Sequence, residues 1–152
     1  MASIRSRLGD NLEDRYLFMA KRIDNEEWVQ GALFNGESHC IIVQEIKFSP
    51  YTEHECKIVG YEVDRDTICQ CTGLKDKNGK LIWENDVVGF WDTYSTENGH
   101  AEMDCIGKVV CDDETISFQV TNRLYAESYE VLDECSVIGN IFDNPELLEV
   151  GE

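Results

Sequence analysis

The stretch TGLKDKNGKLIWENDVV, Thr72 to Val88, decides the fold, because its two glycines, three lysines, two asparagines and tryptophan suit either a phosphate cradle or a pair of reverse turns. A P-loop needs G-x-x-x-x-G-K-[ST] running into a helix whose N-terminus holds the phosphates. Here five residues separate Gly73 from Gly79, Leu81 stands where a magnesium-binding hydroxyl is needed, and no helical period follows. Turn chemistry accounts for the same residues. Asn78-Gly79 between Lys77 and Lys80 predicts a hairpin loop of type I′, in which both residues take positive φ. The stretch therefore reads as strand, turn, strand.

Working outward, the same pattern recurs. Tyr16 to Arg22 and Trp28 to Phe34 are rich in aromatic and branched residues and are separated by Asp24-Asn25, which predicts a hairpin. His39 to Phe48 predicts a strand stopped by Ser49-Pro50, and Cys56 to Val63 a fourth. Beyond Thr67, short strands are predicted at Ile68 to Thr72, Leu81 to Trp83, Val87 to Trp91, Ile106 to Cys111, Ile116 to Val120 and Val137 to Phe142. That spacing belongs to a small sandwich or barrel. Asp92 to Asp104 is polar, holds Asn98-Gly99, and predicts a long loop or hairpin tip. Asp143 to Leu148 predicts a short helix capped by Asp143 or Asn144, with Pro145 at its first position. Residues 1–15, with Ile4, Leu8 and Leu12 among polar neighbours, read as a peripheral arm or short amphipathic helix.

Composition narrows the function classes. With 152 residues the chain is long enough to bury a core without staples, and 42% hydrophobic content is ordinary for a globular protein. The net charge of −18 is lopsided: from Ile82 onward seventeen acids face only Lys108 and Arg123. Such a field makes nucleic acid and anionic lipid poor default partners and favours basic proteins. No apolar run approaches the ~18 residues that span a bilayer. Seven unevenly spaced cysteines and a start without an apolar leader lead us to expect free thiols and a cytoplasmic location.

Candidate chemistry is thin. His54-x-Cys56 and Cys69-x-Cys71 lack the C-x₂₋₄-C knuckle of structural zinc sites, so they read as buried cysteines behaving as small hydrophobes. Asp112-Asp113-Glu114, and Asp92, Glu97, Glu102 and Asp104, do not follow the calcium-loop pattern D-x-[DN]-x-[DN]-G. Asp112-Asp113 reads as a turn between two strands. Lys75, Lys77 and Lys80, followed by Trp83, form a basic cluster with an aromatic neighbour, the pattern of a partner-contact or nucleic-acid patch on a hairpin tip. No catalytic residue, cofactor site or metal site is expected.

Three segments carry a family resemblance. RYLFMAKRIDNEEWVQGAL, the core Thr72 to Lys80 (TGLKDKNGK) and Val137 to Leu148 (VIGNIFDNPELL) resemble the YopX family of phage and prophage proteins, over most of the chain from about Tyr16. The motif residues it marks as structural are Thr72, Gly73, Asn78, Gly79, Asn85, Asp86, Gly139, Asn140, Asp143, Asn144 and Pro145. This chain departs from the family in having Cys71 where an aromatic is usual, and Glu84-Asn85-Asp86 where E-G-D is usual. Asparagine is the best non-glycine substitute in a left-handed conformation, so Asn85 is expected at positive φ.

The resemblance implies a mainly β protein: N-terminal hairpins over residues 16–66 packed on a C-terminal SH3-like small barrel over 67–152, with one or two short helices. It implies a cytoplasmic protein of a bacterial host cell and no enzyme activity. The expected role is a non-enzymatic binding or assembly protein acting through protein contacts, as a homo-oligomer. The alternatives are an acidic DNA mimic that inhibits a host nucleic-acid-binding protein, and nucleic-acid binding through the Lys75, Lys77, Lys80 and Trp83 patch.

Overall fold

The computed structural model describes residues 14–122, 125–130 and 134–149. Most of the arm expected over 1–15 lies outside them. The described chain is mainly β, with strands in two antiparallel sheets and two short 3₁₀ turns, Arg65–Thr67 and Pro145–Leu148. It divides into two compact units, Met1–Cys71 and Thr72–Glu152.

In the first unit β1 (Phe18–Lys21), β2 (Trp28–Asn35), β3 (Cys40–Phe48) and β4 (Cys56–Glu62) lie side by side in the order β4-β3-β2-β1, and the opening residues of β5 (Cys69–Lys75) pair with β1. The expected first hairpin is present: Phe18 faces Gly31 and Lys21 faces Trp28. Its turn is closed by Arg22 N donating to Glu27 O at 2.9 Å, while Asn25 Oδ1 accepts from Glu27 N. Alternation then sorts the side chains. Ala20, Val29, Cys40, Ile42 and Val63 point to one side and form the core, with Phe18, Leu33, Tyr61 and Ile68 packed against it. Burying apolar area at about 25 cal/mol per Å² is what holds such a sheet together.

In the second unit the remainder of β5 pairs with β6 (Leu81–Trp83). A five-stranded sheet follows: β7 (Asp86–Thr96), β8 (Gly99–Asp112), β9 (Ser117–Asn122), β10 (Tyr125–Glu130) and β11 (Ser136–Asn140), in the order β10-β9-β8-β7-β11. Ile82, Val88, Val109, Val120 and Cys135 make its core, supported by Phe90, Phe118 and Val137. Strands β10 and β11 stand at opposite edges, so among the described residues the sheet is open, without the barrel closure that the resemblance implies.

Of the two readings of Asp92 to Asp104, the hairpin tip is the one observed: β7 and β8 continue in register from Trp91 opposite Asp104 to Thr96 opposite Gly99, turning at Glu97-Asn98. Among the described residues β11 reaches β7 only from Asp86 to Gly89, and β9 reaches β8 only from Lys108 to Asp112. The outer part of the hairpin is therefore a two-stranded ribbon. Strand β10 was not predicted. By contrast Asp112-Asp113 does open a turn, with Asp112 Oδ2 accepting from Thr115 N at 2.8 Å. The Thr115 hydroxyl, donating to the same oxygen, and that backbone N–H hold the Asp112 carboxyl below its ordinary value.

Candidate functional site

The opening stretch is built from its turns. Thr72 Oγ1 donates to Ile82 O at 2.7 Å and accepts from Leu74 N at 3.1 Å. Gly73 between them has φ 77°, a left-handed conformation that a side chain would strain. The hairpin tip is not the type I′ loop expected of Asn78-Gly79. Gly79 has φ 80°, but Asn78 is absent from the positive-φ residues; Gly79 N donates to Asp76 O at 3.0 Å and Asp76 N to Lys80 O at 2.8 Å. The loop is a type I turn, Asp76 to Gly79, closed by a left-handed glycine. It favours aspartate at the first position, which is where Asp76 stands.

Asp76 is the residue that sequence reasoning missed. Its buried carboxylate accepts from Asn78 N and Lys80 N on Oδ1 and from Val137 N on Oδ2, each at 2.9 Å. Burial alone would push this carboxyl up; the N–H groups of Val137, Lys80 and Asn78 and the Lys80 charge outweigh it and hold the pKa below its ordinary value. Lys77 N donates to Cys135 O at 3.0 Å, and Asn78 Nδ2 to Ser136 Oγ at 3.1 Å. The loop is thus stitched to the start of β11, joining the two most specific motifs of the sequence.

The next turn, Trp83 to Asp86, behaves alike. Asn85 has φ 70°, as the sequence predicts; its N–H donates to Val109 O at 2.8 Å and its carbonyl accepts from Ile141 N at 3.0 Å. Asp86, buried, accepts from Trp83 N at 2.8 Å. Desolvation raises its carboxyl to about 6, against the pull of that N–H and of the Lys80 charge, while Asp76 adds to the rise.

The C-terminal motif is also consumed in backbone support. A Cβ on Gly139 would lie 2.5 Å from Asn144 Oδ1, so only glycine leaves room for Asn144 to accept from Asn140 N at 3.3 Å. Asn140 Oδ1 accepts from Phe142 N and Asp143 N, and its Nδ2 donates to Asp143 Oδ2 at 3.2 Å. Pro145 opens the 3₁₀ turn as expected, but Asn144 caps it by position only, without a side-chain cap bond.

Of the partner-contact residues, Lys75, Lys77 and Lys80 are exposed. Trp83 is not: it is only 5% exposed, so it offers no stacking platform and the Lys/Trp patch is reduced to its lysines. Cys69 and Cys71 are buried, in keeping with their reading as hydrophobes, whereas Cys56 is exposed and Cys111 half-buried. Among the described residues no group of three or more His, Cys, Asp or Glu side chains could hold a metal ion, and no helix is long and apolar enough to cross a membrane. The carboxylates of Asp76 and Asp86 and the side-chain oxygens of Asn140 and Asn144 accept from backbone N–H groups, and Asp76 and Lys80 lie close enough to Asp86 to act on its charge.

Comparison with known proteins agrees with the motif reading. The family model described as YopX protein matches residues 17–149. The crystal structure of protein EF1440 from Enterococcus faecalis is similar to this chain at 29% identity, over 86% of this chain and 96% of that one, with a TM-score of 0.56. No curated protein matches the sequence.

Proposed function

This chain belongs to the YopX family, and from that premise we propose that it is a non-enzymatic binding or assembly protein of a phage or prophage, acting through protein contacts in the cytoplasm of a bacterial host cell. The observation that carries this reading is the use of the motif residues. Asp76, Asn78, Asn85, Asp86, Asn140 and Asn144 are occupied with backbone and turn hydrogen bonds, the work of a scaffold. We also read the second unit as SH3-like, because its four-strand meander returns a fifth strand, β11, to pair with the first, β7. That fold serves binding modules by analogy only.

Affinity purification from phage-infected or prophage-induced cells, read by mass spectrometry, tests the function. The expected result is stoichiometric recovery of a second copy or of one defined protein; recovery of neither sinks it. A second reading, an acidic DNA mimic, is favoured by the register that puts Asp104 and Glu102 on one face of the β7–β8 ribbon, in a unit carrying −13 of the net charge. Competition with duplex DNA for a host DNA-binding protein would support it. Binding by the lysines alone predicts salt-sensitive association lost on replacing Lys75, Lys77 and Lys80 with Ala.

A further inference from the structure

The first unit has a second apolar face. In β2–β4, Leu33, Ile42 and Tyr61 lie in register and point into the core. Alternation sends their neighbours the other way: Ala32 opposite Val43, which faces Gly60, and Phe34 opposite Ile41. A bulge after Val43 keeps the pattern apolar, so that Ile46 faces Ile58 and Phe48 faces Cys56 on this outer side. Antiparallel sheets with one face in water normally read polar on that face. Here Phe34 is 60% exposed, Ile46 50%, Phe48 77% and Ile58 57%. The one charged group in these rows, Glu62, sits at the end of the edge strand with its carboxylate 2.8 Å from His39 Nδ1.

The chemistry of the face restricts what can cover it. Its exposed apolar area is on the order of 500 Å², at the top of what a monomer displays and more than half of what one partner gives to a standard interface. A basic protein attracted by the net charge of −18 would seat on carboxylates, and these rows present one, already paired. What fits is another charge-poor apolar sheet face, and this chain supplies one. Two like-charged copies repel least through the first unit, which carries −5 against −13 for the second. An isologous contact needs only one self-complementary patch, and two sheet faces stack about 10 Å apart with side chains interdigitated.

We propose that the outer face of β2–β4 packs against the same face of a second copy of this chain, with Phe34, Ile46, Phe48 and Ile58 at the centre of a two-fold dimer. This rests on the protein-contact reading above and locates its surface.

Sedimentation velocity on the full chain tests it. Wild type is expected to be dimeric at about 10 μM. Phe48→Asp with Ile58→Asp buries four charges across the two-fold and is expected to raise the dissociation constant at least ~1,000-fold, with the circular-dichroism spectrum retained. Ile116→Asp, at a site 84% exposed in the second unit, is expected to leave the dimer intact. A readout without substitution is Cys56, on the same face: its alkylation by maleimide is expected to slow as wild-type concentration passes through the dimer range. This keeps the proposal testable if the doubly substituted chain does not fold. A dimer that survives the double substitution, or Cys56 reactivity independent of concentration, overturns the proposal and leaves the protein-contact function standing. A wild type monomeric at 50 μM overturns it too, and together with empty pull-downs removes the function as well.

Discussion

Replacing Asp76 with alanine removes the carboxylate that closes one hairpin loop and ties it to β11. Three N–H groups lose an acceptor at 2.9 Å. A hydrogen bond to a charged acceptor contributes about 1.5–3 kcal/mol, and an N–H left buried costs a similar amount. Asn78 and Lys80 are exposed and their N–H groups can turn to water, whereas Val137 is half-buried within a strand, so its bond counts nearly in full. The expected loss is about 3 kcal/mol, which lowers the melting temperature by roughly 10 °C in a protein of this size. Because the folded pKa of Asp76 is held below its ordinary value, the part of this stabilisation that depends on its charge is complete above the unfolded value and is lost as pH falls through the folded one. Thermal melts followed by circular dichroism should therefore separate wild type from Asp76→Ala by about 10 °C at pH 7 and show a narrower gap in acid. A variant within 1 °C of wild type at pH 7, or a gap that persists undiminished to pH 2, would refute the reasoning.

Three further outcomes are expected. Asp86, raised to about 6, has the opposite sign: its folded form holds a proton that the unfolded chain has released, so its contribution is present below the unfolded value and lost as pH rises through 6. Asp86→Asn should raise stability at pH 8 by about 1–2 kcal/mol once the weaker bond to Trp83 N is counted, and flatten the pH 4–6 slope; a lower melting temperature at pH 8 contradicts this. Asn85→Gly should be neutral or stabilising by up to ~1 kcal/mol, while Asn85→Val, forcing a branched residue to φ 70°, should cost about 2 kcal/mol in urea titration. Gly139→Ala drives a methyl into Asn144 and should cost about 1–3 kcal/mol; equal urea midpoints would show that Asn144 moves aside freely.

The parts of the fold visible in sequence are those with a buried face and a turn residue to bound it. The β1–β2 hairpin and β6 were legible because their apolar residues recur at strand spacing and stop at Asp24-Asn25 or Asn85. The outer half of the β7–β8 ribbon was not, since its described side chains are at most half-buried, Ala101 and Met103 among exposed polar neighbours, and leave only a faint apolar period. The hairpin tip was misread by one residue: Asn78-Gly79 suits a two-residue loop, but D-K-N-G is a stronger type I signature, and noticing Asp76 three residues before Gly79 would have found the central carboxylate. Trp83 was placed on the surface because it follows three lysines; in β6 Leu81 is half-buried while Ile82 and Trp83 are both buried, so neither side of the strand offers the tryptophan to water. Asn85 came out as expected because a left-handed turn leaves few residues to choose from.

Asp76 and Val137 stand 61 positions apart, and their bond has a consequence for the order in which the protein forms. The first unit is assembled largely from neighbouring hairpins whose loops are short, so each can zip soon after its residues leave the ribosome. In the second unit the hairpin at Asp76 cannot acquire its last hydrogen bond, nor β7 its edge partner β11, until some sixty more residues have been made. At roughly 5–20 residues per second that is an interval of several seconds during which Ile82 and Val88 lack part of their cover. The two motifs are thus the two ends of one late closure, and the apolar residues between them wait for the second to complete their cover.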